Sequence, residues 1–182
     1  MKFKQYLVES EKITIYHGGS TLIKDINPKF MMLDIANSQE GIGIYFSSVL
    51  DVAQSYGKNV VQAKVSPKDF IESRKPFSKL KNGIKLLEYL NQKDQEDFYY
   101  LITDYGFEIP EPEDIEDYHI QELYNKLKNE EIRNISIELS QYTSPVYVAE
   151  AWRKYIPYIG LKNSKLNYYI VIKDIKLEPY KG

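Results

Sequence analysis

Apolar positions in the first third of the chain form short runs that predict β-strands. Residues 13–16 are one such run, residues 41–46 contain a short strand flanked by Gly41 and Gly43, and the valine-rich run 59–65 ends at Ser66-Pro67. Residues 22–38, between the first two strands, are predicted to be irregular, with a turn at Asn27-Pro28. A loop of this length before a glycine-rich strand is often a binding loop.

A helix is predicted directly after the second strand. Four residues have the spacing i, i+3, i+4 and i+7 of one helix face: Val49, Val52, Ala53 and Tyr56. Ser47 or Ser48 can cap the first turn, and Gly57 supplies the stop. Tyr56 is therefore expected on the inner face of this helix.

The middle of the chain has helical periodicity. Residues 83–105 predict two helices or one bent helix, because the apolar spacing is interrupted by the polar run 91–97. Residues 115–129 follow an acidic, proline-containing turn and predict another helix, as do residues 145–155.

Strand patterns return near the end of the chain. A turn over residues 157–163 leads to the strongest late strand, residues 166–172, and a final strand is predicted near residues 175–177. Strands at both ends with helices between about residues 80 and 155 predict an α+β fold rather than a doubly wound parallel sheet.

Length and composition indicate one globular domain. The chain has 182 residues, of which 43% are hydrophobic and 27% charged. We assign residues 1–12 to a short amphipathic N-terminal helix and residues 13–182 to the domain, with a helical insertion at about 80–155. The formal charge of −2 lacks the broad basic field of proteins held to nucleic acid by phosphate contacts, which favours a protein or small-molecule target.

Residue types narrow the chemistry further. The absence of cysteine excludes disulfides, a thiolate nucleophile and cysteine-ligated zinc, and only two histidines argue against metal catalysis. No apolar run approaches the roughly 20 residues that a membrane span needs, and the first eleven residues lack the apolar centre of a secretory signal. We therefore expect no metal and no membrane partner.

Two short segments could form a pocket for a flat ring. His17 follows a strand and precedes Gly18 and Gly19, where the backbone is open to a ligand and two peptide groups can pair with a carboxamide. Tyr45 ends the second strand and Tyr56 faces inward from the next helix, so their rings could form a two-sided aromatic slot. Nicotinamide would fit such a slot.

The segments Tyr16-His17-Gly18-Gly19-Ser20 and Gly41-Ile42-Gly43-Ile44-Tyr45-Phe46-Ser47-Ser48, with Tyr56 after them, resemble the diphtheria-toxin-like, or His-Tyr-Glu, ADP-ribosyltransferases. The resemblance is strongest over residues 13–65 and weaker over 158–177. It implies a split β-sheet core and NAD as the substrate, with no metal.

The resemblance also implies roles for individual residues. His17 would hold the NAD ribose hydroxyls, and Gly18, with Gly19 beside it, would bind the nicotinamide amide through its backbone. Tyr45 and Tyr56 would stack on the nicotinamide from its two faces. Ser47 is the further residue expected to contact NAD.

The third motif of the family is altered. The strand 168–172 begins with Tyr168 where the family has a glutamate, and a neutral tyrosine cannot supply an anion beside a cationic transition state. The helix serine of the polymerases is replaced by Ala53. Four acidic residues could supply a carboxylate instead, although each is more simply interpreted as a surface charge: Glu40, Asp51, Asp174 and Glu178.

The first ten residues resemble the packaging peptide of internal head proteins of T-even-like tailed phages. The triplet Leu7-Val8-Glu9 matches the pattern after which a prohead protease cuts. This resemblance implies a phage protein that is carried in the virion and then acts in the host cytoplasm; without it, a cytoplasmic protein is expected.

Three functions remain open. The first is transfer of one ADP-ribose from NAD to a host protein, with His17, Tyr45 and Tyr168 as the catalytic residues. The second is an inactive internal virion protein or a protein that binds NAD or ADP-ribose. The third is transfer to nucleic acid, for which a locally basic run is available, although such a run is usually a solvated face: Lys64, Lys68, Arg74, Lys75, Lys79, Lys81 and Lys85.

Overall fold

A computed structural model describes residues 11–31 and 40–181. The strands are β1 (Ile13–Gly19), β2 (Ile44–Ser47), β3 (Asn59–Val65), β4 (Phe70–Glu72), β5 (Gly160–Asn163), β6 (Tyr168–Val171) and β7 (Glu178–Pro179). The helices are α1 (Pro28–Met31), α2 (Leu50–Tyr56), α3 (Gly83–Lys93), α4 (Gln95–Asp104), α5 (Asp117–Leu127), α6 (Ile132–Tyr142) and α7 (Pro145–Tyr155). The packaging peptide predicted within residues 1–10, with its Leu7-Val8-Glu9 triplet, lies outside the described residues.

The strands form one sheet in the order β4-β5-β6-β2-β1-β3-β7. Neighbours are antiparallel except β4 and β5, which are parallel. Together with the helices between α3 and α7, this confirms the α+β prediction. Within the described residues, no helix is long and apolar enough to cross a membrane.

The sheet is nearly divided between β1 and β2. The ladder between β1 and β3 runs from Ile13–Val65 to Gly19–Asn59, and β2 is paired with β6 along its whole length. By contrast, β1 and β2 share the single pair Tyr16–Ser47. Beyond this pair the two strands separate, and the sheet opens on that side.

Helices and sheet share one hydrophobic core. Sheet residues such as Ile15 and Phe46 belong to the same buried cluster as Leu87 of α3, Leu123 of α5 and Trp152 of α7. Burying a side chain of this size stabilises a fold by about 1.5–3 kcal/mol relative to its exposure. The region 80–155, predicted as an insertion, is therefore part of the packing that holds the sheet.

Several predicted elements match the structure. β3 and α7 have the predicted bounds, and the periodic region 83–105 is divided into α3 and α4 at Asp94. The helix predicted over 115–129 is α5, and the strand over 166–172 contains β6.

Other predictions of local structure were wrong. The turn over 157–163 becomes β5 from Gly160 onward, because pairing on both sides with β4 and β6 outweighs its polar sequence. The last strand is β7, and residues 175–177 are not in a strand. The loop 22–38 contains the short helix α1, and α6 and β4 were not predicted at all.

Candidate functional site

A cleft of about 540 Å³ opens where β1 and β2 separate. Its walls come from β1, β2, α2 and the start of β6, with Glu40 and the β5–β6 turn at its edge. Six of the seven predicted site residues line it: His17, Gly18, Tyr45, Ser47, Tyr56 and Tyr168. Gly19 follows Gly18 in the sequence but is not part of the cleft lining.

The peptide groups of Gly18 face this opening. The Tyr180 N–H donates to the Val60 carbonyl at 2.9 Å, so the peptide groups of Val60 face β7. Gly18 lies opposite Val60, and in an antiparallel pair both residues turn their peptide groups toward each other or both turn them away. The N–H and C=O of Gly18 therefore face away from β3, toward β2, where the ladder has already ended.

The carbonyl of Tyr45 does not close this gap. In a continued β1–β2 ladder it would pair with Gly18, but it accepts a hydrogen bond from Nδ1 of His17 at 2.8 Å instead. The imidazole thus takes the place of a backbone partner. The β1–β2 pairing therefore does not extend to Gly18, and the Tyr45 carbonyl that would face its N–H is bound by the imidazole instead.

The same hydrogen bond defines the tautomer of the His17 imidazole. Because a carbonyl only accepts, Nδ1 carries the proton and Nε2 has the free electron pair. Burial lowers the pKa of His17, and the hydrogen bond to the Tyr45 carbonyl offsets this only in part. His17 is therefore neutral at pH 7 and can accept a hydrogen bond through Nε2, with its ring packed 5.5 Å from that of Phe46.

Gly18 is also required by helix packing. A Cβ at this position would lie 1.8 Å from the Ala53 carbonyl oxygen, so α2 approaches β1 at a distance that only glycine permits. The side-chain position of Gly18 is therefore filled by α2, and a ligand could reach this residue only at its peptide groups. Ala53, at the position of the family's helix serine, is buried in this contact.

Tyr45 is held firmly in the cleft wall. Its hydroxyl donates to the Gly41 carbonyl at 2.9 Å and accepts from the Glu40 N–H at 3.0 Å. The ring is half-buried and packs against the hydrophobic core. One face of the predicted aromatic slot is therefore preorganised.

Tyr56 and Tyr168 occupy the rim. Tyr56 is 68% exposed, so its prediction on the inner face of α2 was wrong; Ala53 is the buried residue of that helix. The pKa of Tyr168 is raised, first by its interaction with the Tyr56 hydroxyl and then by burial, although the pair lacks standard hydrogen-bond geometry. Both rings line the cleft, and Tyr168 is neutral at pH 7.

Ser47 is buried, and its hydroxyl accepts a hydrogen bond from the Val49 N–H at 3.0 Å. The residue that precedes the first turn of α2 is Val49, which makes no side-chain cap, so neither Ser47 nor Ser48 caps this helix as predicted. Ser47 instead closes the turn that leads from β2 into α2.

Glu40 is the feature that sequence reasoning judged wrongly. It was interpreted as a surface charge, yet it is 4% exposed and lies at the edge of the cleft. Burial acts to raise its pKa, but hydrogen bonds from Ser73 and Arg74, the nearby Asn163 amide and the charge of Arg133 outweigh this, so the pKa is lowered. The Asn163 Nδ2 itself makes no hydrogen bond of standard geometry.

The other acidic candidates are at the surface. Asp51 is exposed, Asp174 pairs with Arg153, and Glu178 pairs with Lys176. In the described part of the chain, no group of histidine and acidic side chains could hold a metal ion.

Comparison with known proteins gives no relative for this chain. No protein family model matches it, no curated protein is similar to it, and no solved structure resembles it.

Proposed function

We propose that the cleft binds the nicotinamide half of NAD and that the protein transfers one ADP-ribose to a protein acceptor. The observation that carries this proposal is the open peptide of Gly18 beside a neutral His17, at the point where the sheet divides. A split in the sheet at the nicotinamide site is also what the resemblance to the His-Tyr-Glu ADP-ribosyltransferases implies.

The shape and chemistry of the cleft fit a nicotinamide riboside. Its volume of about 540 Å³ is within the usual range for small-molecule sites. The N–H of Gly18 would donate to the carboxamide oxygen, and its C=O would accept from the carboxamide nitrogen. The Tyr45 ring would form one wall, the exposed rim residue Tyr56 would cover the other face, and Nε2 of His17 would accept from a ribose hydroxyl.

The reaction follows from these positions. NAD supplies an activated glycosidic bond: the bond between the nicotinamide nitrogen and ribose C1′ breaks, and its electron pair stays on nicotinamide. An acceptor nucleophile forms the new bond to C1′ and loses its proton to water. The chain's part is to hold the nicotinamide and ribose in place, which lowers the entropic part of the barrier.

The proposed site lacks a free carboxylate that could stabilise the cationic transition state. Tyr168 is neutral, and both carboxylate oxygens of Glu40 are already bound by other side chains. The absence of a free anion at such a position typically costs about 2.7–4 kcal/mol, or 10²–10³-fold in rate. We therefore propose single, slow transfer and no elongation of an ADP-ribose chain.

Incubation with labelled NAD and a bacterial lysate tests this function. We expect a labelled product that is destroyed by protease but survives nuclease, and its loss in the His17→Ala variant. His119→Ala is the matched control, because it removes the other histidine of the chain, which lies in α5 and is not part of the cleft lining. Labelling that is equal in wild type and His17→Ala would refute the proposal, and a product sensitive only to nuclease would show a nucleic-acid acceptor.

A second candidate function is binding of NAD or ADP-ribose without transfer. It is favoured by the neutral Tyr168 and by the engaged state of Glu40. Calorimetry with unlabelled NAD distinguishes the two: binding without release of nicotinamide favours a binding protein, and binding with release favours the transferase.

A further inference from the structure

A buried carboxylate at the edge of the cleft has no role in the function proposed above. Glu40 is 4% exposed, and taking a carboxylate out of water costs several kcal/mol unless donors and positive charges compensate. The contacts of Glu40 therefore indicate what it does.

The side chain of Glu40 is fixed from outside the cleft. Oε2 accepts from the Ser73 hydroxyl at 2.8 Å, and Oε1 accepts from Arg74 at 3.1 Å and from Arg133 at 3.5 Å. Ser73 is fully buried and follows β4, and Arg133 belongs to α6. Because both oxygens are engaged by these donors, the carboxylate is not free to approach a ribose.

The backbone of the same residue holds a cleft side chain. The Glu40 N–H donates to the Tyr45 hydroxyl at 3.0 Å, and that hydroxyl donates to the carbonyl of Gly41 at 2.9 Å. The backbone of Gly41 has a φ of +113°, and a Cβ there would lie 2.4 Å from Leu161 Cδ1, so its position is tightly restricted. The Tyr45 ring is thus anchored to a backbone segment that the Glu40 carboxylate fixes.

We infer that Glu40 is a positioning residue: its carboxylate, bound by Ser73, Arg74 and Arg133, fixes the backbone that holds the Tyr45 hydroxyl and so orients the Tyr45 ring in the cleft. This inference rests on the proposed function only in the second test below, which measures NAD affinity. Glu40 acts through Tyr45 and does not replace the glutamate that is missing at Tyr168.

The first test needs no ligand. Protein labelled with 3-fluorotyrosine is compared by ¹⁹F NMR as wild type, Glu40→Gln and Glu138→Gln, with the Tyr45 resonance assigned by Tyr45→Phe. Glu138→Gln is the matched control, because the Glu138 carboxylate accepts from the Tyr105 hydroxyl in the helical region.

We expect Glu40→Gln to shift or broaden the Tyr45 resonance and to leave that of Tyr105 unchanged. Glu138→Gln should have the opposite pattern. A Tyr45 resonance that is the same in wild type and Glu40→Gln would overturn the inference. If Glu40→Gln does not fold, the Arg74→Gln variant is measured instead, because the Arg74 side chain is half-exposed and its replacement should leave the protein folded. We expect Arg74→Gln to shift the Tyr45 resonance. An unshifted resonance would refute the inference.

The second test measures coupling through NAD affinity. We expect Glu40→Gln and Tyr45→Phe each to weaken binding about tenfold, and the double variant to bind no more than about twofold more weakly than either, because both substitutions disturb one contact. Losses that multiply in the double variant would overturn the inference. If wild-type protein binds no NAD, the proposed function fails, while the fluorine spectra still decide the role of Glu40.

Discussion

The Tyr168→Glu variant tests ADP-ribose transfer separately from NAD binding. Tyr168 is the first residue of β6, it is half-buried, and it lines the cleft across the sheet from His17 and Gly18. Glutamate at this position would supply the anion that the proposed transfer reaction lacks. Because the position is at the rim, a charged side chain there stays hydrated and should not unfold the protein.

The expected gain follows from electrostatics. A carboxylate about 4 Å from a developing positive charge is worth about 4 kcal/mol at an effective dielectric constant of about 20. The neighbouring Tyr56 is 68% exposed, so water reaches this part of the cleft and weakens the interaction. We therefore expect the lower end of the usual range, a rate increase of about 100-fold.

The assay follows the initial rate of nicotinamide release at saturating NAD, together with transfer of labelled ADP-ribose. Tyr168→Gln is the matched control, because it has the size of glutamate without the charge. The gain should disappear when His17→Ala is combined with Tyr168→Glu, since Nε2 then no longer holds the reacting ribose of the bound NAD. If Tyr168→Glu binds NAD like wild type but reacts no faster than Tyr168→Gln, the assignment of Tyr168 to the reacting ribose is refuted.

Three further predictions concern β1. Replacing His17 by alanine removes one neutral hydrogen-bond acceptor, so calorimetry should show NAD affinity about 2- to 13-fold lower, and unchanged affinity would contradict the role of Nε2. Gly18→Ala should destabilise the fold by about 1–3 kcal/mol in urea titrations, because its Cβ would lie 1.8 Å from the Ala53 carbonyl oxygen. Gly19→Ala is its control, with a nearest neighbour at 3.5 Å and an expected change within about 0.5 kcal/mol; equal effects at both positions would contradict the packing of α2 on β1. Because burial lowers the pKa of His17, the unfolded chain binds its proton more readily, and stability should fall as the pH drops below about 6.5 toward the folded-state pKa. His17→Gln should remove this component from urea titrations between about pH 5 and pH 8, and parallel curves for the two proteins would refute it.

Local sequence signals predicted those elements whose stability is local. β3 contains three valines among its seven residues, and α7 begins at Pro145, after Ser144, whose hydroxyl accepts from the Val146 N–H. Such signals are present in the residues themselves, so the bounds of both elements could be predicted. β5 forms because strands exist on both sides of it, and no pattern within its four residues encodes those neighbours.

The omission of α6 has a different cause. Its buried face contains two serines, Ser136 and Ser140, each 4% exposed, between isoleucine and leucine positions. Their hydroxyls donate to the carbonyls of Arg133 and Ser136 at 2.8 and 2.7 Å, so the polar groups are satisfied within the helix. A pattern that counts serine as polar loses two of the five buried positions of this helix.

In the cleft, too, some residues could be predicted from the nearby sequence, whereas Glu40 depends on partners that are distant in sequence. The order and spacing of His17, Gly18, Tyr45 and Tyr56 predicted one site because they resemble those of one family, and all four residues line the cleft. Glu40 could not be placed in this way, since its partners Ser73 and Arg74 follow β4 and its partner Arg133 lies in α6, up to 93 positions away. A single acidic residue before a glycine has no periodic pattern, and the burial that makes it informative arises only when the helical region packs against the sheet. If Glu40 orients Tyr45 as inferred, the helices between residues 80 and 155 contribute to the cleft as well as to the core. Substitutions on α6 at Arg133 should then weaken ligand binding without contacting the ligand.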